Sequence, residues 1–317
     1  MRTSKLTMIT GLASLAAGLV ILVAFTVVSR SDDGAATDRA KLMAEYRRPA
    51  EIPFPASDPY SEAKAHLGRM LFFDPVLSGP RTQACASYHN PALSWQDGHF
   101  RNLESVAFGP ITNPNIMNMP EKELVARLSA IPGYVTAFDA AFGSSGISKH
   151  NIELALATFE RSIVAGDAPF DRWIAGDHNA ISAAAKRGFD LFNGKAHCSA
   201  CHSGWSFTDS SFHDVGVATG KDIGRGRLFP TSQSLRYAFK TPTLRDVDRR
   251  APYMHDGSVK SLEQVIDLYN KGGIDRPSRA EDIRPLGLTA QDKADLIAFL
   301  HTLTGTSGTV ALTTLPR

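Results

Sequence analysis

Two thiols and an imidazole stand within one short run, Cys198-Ser-Ala-Cys201-His202. A C-x-x-C-H run is typical of c-type haem attachment. In such a site the two thiols bond to the haem vinyl groups, and the adjacent imidazole becomes an iron ligand. We therefore predict that Cys198 and Cys201 bind a haem c covalently and that His202 coordinates its iron.

An altered copy of this run, Cys85-Ala-Ser-Tyr88-His89, lies far upstream. It keeps the first thiol and the histidine but has Tyr88 where the second thiol would stand. The pattern predicts a second haem c, bonded to Cys85 alone and coordinated by His89. The missing thiol makes this the weaker of the two predicted sites.

Two other kinds of site also use a C-x-x-C pair: a redox disulfide and half of a zinc site. The sequence has no second C-x-x-C run and no H-x-x-x-H run to complete a zinc site. With three cysteines in the chain, a disulfide framework is excluded as the main stabilising device. Haem attachment is the interpretation that also explains the adjacent His202.

The N-terminus has the composition of an export signal or membrane anchor. Arg2 and Lys5 precede an apolar run at residues 8–28, and a polar segment follows at 31–50. The run is long enough to span a bilayer, and no clear cleavage site follows it directly. We predict an anchor within residues 1–30, a linker at 31–50, and a periplasmic protein tethered to the inner membrane by residues 8–28. The net charge of +2, without a Lys/Arg cluster, gives no reason to expect nucleic-acid binding.

A G-x-x-L-F pattern precedes both Cys/His runs, at Gly68 and again at Gly188. Such a wide repeat favours duplicated domains over a solenoid. Helical spacing of apolar residues over Asn151–Ile163, and capping residues Ser261 and Thr289, predict further helices. No stretch alternates like a strand, so the predicted fold class is mostly α with long loops. We place the two domains at residues 51–165 and 166–317.

The chain resembles the bacterial di-haem cytochrome c peroxidase family, in particular its MauG-like branch, over roughly residues 55–305. The resemblance implies two cytochrome c-like helical domains, each holding one haem, with electrons passing between them. One haem relays electrons and the other reacts with hydrogen peroxide. The matching phrases are LGRMLFFDPVLS at 67–78, GPITNP at 109–114, FERSI at 159–163, FDRW at 170–173, KTPTLR at 240–245 and APYMHDG at 251–257.

Within this resemblance, His202 corresponds to the iron ligand of the C-terminal, electron-relay haem. The opposite ligand in family peroxidases is a Met, and its position here is Tyr269, the residue type that MauG-like members use. A phenolate is a harder, anionic ligand than a thioether, so it lowers the reduction potential. The alternative is that Tyr269 is a core residue on the same helical face as Leu262 and Ile266; Met254 is a weaker candidate ligand.

The N-terminal half departs from the family pattern. His89 and Cys85 correspond to the peroxide-reacting haem, but the family's distal Gln and Glu positions hold Val106 and Ile116. These apolar side chains cannot transfer the protons that cleavage of peroxide requires. The segment after His89 is also shorter than in the family. It lacks the Asn that binds calcium there, so a Ca²⁺ ion would have only the backbone carbonyls at Arg250 and Pro252.

Two functions remain open from these residues. The first is an exported di-haem oxidoreductase that accepts electrons from a small redox protein or other donor and reduces hydrogen peroxide. The second is a non-catalytic haem c electron carrier whose first haem site has degenerated. Family resemblance favours the enzyme, whereas Tyr88, Val106 and Ile116 favour the carrier.

Overall fold

The computed structural model describes residues 37–89, 107–306 and 313–317. Two units are distinguished, Met1–Arg47 and Arg48–Arg317. In the first unit, residues 37–45 are helical (α1) within the segment that we predicted to be a linker. The predicted anchor at residues 8–28 lies outside the described residues. Nothing within the described ranges forms a helix that is both long and apolar enough to cross a membrane.

The second unit is mostly helical, as predicted. Its described helices are α2 (Glu62–Phe73), α3 (Cys85–Tyr88), α4 (Phe108–Thr112), α5 (Glu121–Ser129), α6 (Pro132–Phe142), α7 (Lys149–Ser162), α8 (Pro169–Ile174), α9 (Ala183–Asn193), α10 (Leu262–Lys271) and α11 (Ala290–His301). Strands β1 (Phe212–His213) and β2 (Phe239–Lys240) form a short antiparallel ribbon in which Phe212 faces Lys240. The Thr289 capping box starts α11, as the sequence predicts.

In the N-terminal half, helices α2 and α7 pack directly against each other. A Cβ atom on Gly68 of α2 would lie 1.9 Å from the carbonyl oxygen of Ala155 on α7, so glycine is required for this close approach. Leu67, Leu71 and Phe159 are almost completely buried around the crossing. The half therefore has a continuous apolar core of its own.

The C-terminal half repeats the same arrangement with α9 and α11. A Cβ atom on Gly188 of α9 would lie 2.0 Å from the carbonyl oxygen of Asp295 on α11. Five aromatic rings pack edge to face or tilted around this crossing: Phe170, Phe189, Phe192, Phe207 and Phe299. In each half, the Cys/His run follows the first helix of the crossing pair. The G-x-x-L-F repeat thus corresponds to a repeated structural unit.

Candidate functional site

The C-x-x-C-H run of the C-terminal half forms one tight turn. Cys198–Ala200 is a 3-10 turn, and the His202 amide donates to the Cys198 carbonyl oxygen at 3.0 Å. The residue before the turn, His197, has a left-handed backbone with φ +52°. This geometry keeps both thiols on the turn that carries His202. Cys198 and Cys201 are free thiols and form no disulfide.

Burial makes both of these thiols weak acids, which argues against a redox-active C-x-x-C pair. Burial raises the pKa of Cys198 to about 12 and the pKa of Cys201 to about 11. Redox-active cysteines typically have a lowered pKa, because the thiolate is the reactive form. Asp209 and His213 do lie close to Cys201, with ligand atoms within 4.8 Å of one another. A Cys201 sulphur bonded to a haem vinyl group would not be available to that cluster as a thiolate.

His202 is oriented as an iron ligand requires. Its Nδ1 lies 2.9 Å from the Phe207 carbonyl oxygen, so this nitrogen carries the proton and Nε2 keeps its lone pair in the neutral ring. Burial lowers the pKa of His202, outweighing the nearby carbonyl groups and Asp209 that raise it. Metal-binding histidines typically donate their second N–H to a carbonyl in this way.

Tyr269 lies near the two predicted attachment cysteines. It is half-buried on α10, whereas Leu262 and Ile266 of the same helix are fully buried. Burial raises the pKa of the Tyr269 phenol, and the Cys198 and Cys201 thiols raise it further. The phenol is therefore within electrostatic range of both thiols. Partial exposure and nearness to both thiols are what the predicted ligand role of Tyr269 requires.

Taken together, the side chains of the C-terminal half fit a haem c group. Two thiols outside any disulfide, the His202 imidazole and the Tyr269 phenol lie in one region of the half. A haem c attached through both vinyl groups uses two sulphur atoms, and six-coordinate iron uses two axial ligands; this donor set can supply all four.

The N-terminal run offers fewer donors. Cys85 begins the short helix α3, packs against the apolar core of that half, and has its pKa raised to about 12, mainly by burial and also by Glu160. The His89 amide donates to the Cys85 carbonyl oxygen at 2.8 Å, and the His89 ring centroid is 6.2 Å from that of Phe72. One thiol and one imidazole are therefore adjacent here, which fits a haem attached through a single thioether.

On the distal side of the N-terminal site, the family's Glu position is occupied by Ile116, which cannot transfer a proton. Ile116 is partly buried and packs against the apolar core. Val106, at the family's Gln position, lies outside the described residues, as does most of the short segment after His89. Of the two distal positions, the structure describes Ile116 alone, and its side chain packs with apolar neighbours.

Comparison with protein families now identifies the chain. The family described as di-haem cytochrome c peroxidase matches residues 62–100 and 93–179, and the cytochrome c family matches residues 185–304. A methylamine utilization protein MauG from Methylorubrum extorquens is 45% identical, with 90% of both chains covered. The chain is a MauG-like member of the di-haem cytochrome c peroxidase family.

Two further relatives agree with this assignment. A MauG protein from Methylophilus methylotrophus is 43% identical over 82% of this chain and 88% of its own length. A crystal structure of a MauG-like protein associated with microbial copper homeostasis has a TM-score of 0.71 and 29% identity, covering 81% of this chain and 95% of that one. The predicted family and the prediction of two haem c groups are thus confirmed. The MauG-like chain is an oxidoreductase of the peroxidase family.

Sequence reasoning did not find the groups that hold His202. The Phe207 carbonyl and the segment that supports it carry no motif of their own, because backbone acceptors are present at every residue. One signal was present in the sequence: the KTPTLR phrase at 240–245 matches the family, although none of its residues is a predicted haem ligand.

Proposed function

We propose that this MauG-like protein is an exported di-haem c oxidoreductase in which electrons pass from a C-terminal to an N-terminal haem. Cys198, Cys201, His202 and Tyr269 would hold the first, and Cys85 and His89 the second. Hydrogen peroxide would react at the N-terminal haem. The two MauG relatives, described as methylamine utilization proteins, favour methylamine utilisation as the context of the reaction.

The observation that carries this proposal is the convergence of Tyr269 with the C-x-x-C-H turn. When bound, the haems supply storage of electrons and reaction with peroxide. The protein's part at the C-terminal site is to hold Nε2 of His202 unprotonated and to bring close by the Tyr269 phenol, which would lose its proton on binding iron. A phenolate ligand favours the ferric state, which suits a haem that gives up electrons.

A second function, a non-catalytic electron carrier, is favoured by Ile116. This side chain packs into the apolar core and cannot donate or accept a proton. A carrier would keep the C-terminal haem while the N-terminal site does no chemistry.

Matched variants separate the two functions. Pyridine haemochrome analysis should give two haems per chain in the wild type, and Cys85→Ser and Cys198→Ser should each affect only their own haem. Peroxide added to the fully reduced wild-type protein should oxidise both haems. In His89→Ala, peroxide should leave the C-terminal haem reduced, as followed by its absorbance. Oxidation of that haem at the wild-type rate in His89→Ala would contradict the proposed electron path, and one haem per chain would favour the carrier.

A further inference from the structure

The turn that holds His202 is itself held by a second segment, residues 241–245. Phe207, whose carbonyl oxygen accepts from His202, has a left-handed backbone with φ +53° and is completely buried. A non-glycine residue in this conformation is disfavoured by about 1 kcal/mol. The surrounding structure must therefore impose the conformation.

Contacts from 241–245 reach three of the four residues of the turn at 205–208. Thr243 Oγ1 donates to the Ser206 carbonyl oxygen. The Thr208 hydroxyl donates to the Thr241 carbonyl oxygen at 2.7 Å. Arg245 donates to the Trp205 carbonyl oxygen twice, from Nε at 2.9 Å and from Nη2 at 2.7 Å.

Arg245 links this turn to a different helix. Its side chain is almost fully buried, and Nη1 lies 2.8 Å from both carboxylate oxygens of Asp171 at the start of α8. Asp171 also accepts from the Ala168 amide at 3.0 Å, so it is fixed to the backbone. The guanidinium lies over the Phe207 ring, 5.1 Å from its centroid. The planar fork of arginine makes all of these contacts at once, which the single ammonium of lysine cannot do.

From these contacts we infer that Arg245 is a positioning residue for His202. It holds the 205–208 turn against α8, so that the Phe207 carbonyl fixes the orientation of the imidazole. This inference rests on the proposed role of His202 as an iron ligand. It adds a role for the KTPTLR segment, which contributes no residue to the proposed ligand set.

The test uses Arg245→Lys in the full chain, with Arg276→Lys as a matched control. Arg276 is also an arginine paired with a buried aspartate: it contacts Asp214 at 2.6 and 2.5 Å and donates to the Ala218 carbonyl oxygen at 2.7 Å. Its guanidinium contacts Asp214, Ala218 and the Tyr237 ring, and within the described residues it does not reach the 205–208 turn. Lysine keeps the positive charge at both positions but loses the fork.

We expect Arg245→Lys to retain wild-type haem content while shifting or splitting the low-spin ferric electron paramagnetic resonance signal of the C-terminal haem and shifting its reduction potential. Arg276→Lys should leave both unchanged. Thr243→Val removes the Ser206 contact and the hydrogen bond that Thr243 Oγ1 accepts from the Arg245 amide, but it keeps the guanidinium contacts, so it should move the signal in the same direction by less. If Arg245→Lys attaches no haem, Thr243→Val decides the question by itself.

An unchanged signal and potential in Arg245→Lys, or equal changes in both lysine variants, would overturn the inference. His202→Ala separates this result from failure of the proposed function. Loss of the low-spin signal in His202→Ala supports ligation by His202 whatever Arg245→Lys shows. A retained signal would instead remove His202 from the ligand set.

Discussion

At the scale of single residues, the protein's chemistry depends on which side chains can reach one haem. Cys198, Cys201 and His202 are neighbours in sequence, so their proximity follows from a single turn. Tyr269 comes from a separate helix, and its electrostatic effect with both thiols places it in the same region. The sequence supplies the candidate donor groups, and folding brings Tyr269 close to the other three.

Replacing Tyr269 tests its role directly. Tyr269→Phe should change the ferric spectrum of the C-terminal haem, because the phenolate oxygen is lost. Tyr269→Met should raise the reduction potential of that haem, since a neutral thioether stabilises ferric iron less than a phenolate does. Absorbance spectroscopy and redox titration measure both effects.

Tyr253→Phe is the control for these variants. Tyr253 is in the same half, and its hydroxyl donates to the Val247 carbonyl oxygen at 3.2 Å. Its replacement should leave the haem spectrum unchanged. If Tyr269→Phe also had a wild-type spectrum, Tyr269 would be a core residue and not a ligand.

At the scale of elements, each half is built on one close helix crossing. Gly68 brings α2 onto α7, and Gly188 brings α9 onto α11. In both crossings the backbone of the second helix occupies the space that a Cβ atom would need. The crossing positions the Cys/His run that follows the first helix, so helix packing and the haem site are linked.

Alanine at either glycine should therefore destabilise the protein. On an exposed helix, Gly→Ala stabilises by up to about 1 kcal/mol. At Gly188 the added methyl group would collide with backbone, and we expect a loss of about 1–3 kcal/mol in the free energy of unfolding. Gly68→Ala should behave in the same way. Chemical denaturation followed by circular dichroism measures both losses.

The sign of the change makes this prediction easy to contradict. Lys186→Ala, on the same helix α9 as Gly188, is a control for a change that does not affect the crossing. If Gly188→Ala were as stable as Lys186→Ala, or more stable than the wild type, the close approach would not be needed for folding.

At the scale of the whole molecule, we predict that the N-terminal segment decides where the protein matures. We predict that residues 8–28 tether the chain to the inner membrane and that the haem domains are exported. Deletion of residues 1–30 should leave the chain in the cytoplasm and free of haem c, because haem c is attached outside the cytoplasm. Cell fractionation combined with a haem stain of the separated proteins measures both results.

Replacing residues 1–30 with a cleavable export signal provides the control. That variant should carry haem c and appear in the soluble periplasmic fraction. If the full chain were also soluble in the periplasm, residues 8–28 would be a cleaved signal and not an anchor. Haem c on the truncated chain would contradict the need for export.

In the described part of the molecule, the features that the sequence predicted are those that depend on neighbouring residues. The capping box at Thr289 and the helix at 149–162 were predictable, because they depend on residues a few positions apart. The repeated G-x-x-L-F pattern predicted two similar units, but not that each glycine is a contact point between helices. That role became visible only with the partner helix in place.

The sequence by itself predicted the haem chemistry, because a C-x-x-C-H run brings two thiols and an imidazole onto one turn, and that spacing is local. It also indicated the weaker second site, since Tyr88 replaces a thiol within the same short run. Only the tertiary structure decided how these groups are held. The Trp205 carbonyl and Arg245 are 40 residues apart in the chain, and backbone carbonyls leave no trace in residue types. Contacts of this kind depend on how distant segments pack, so spacing alone could not reveal them.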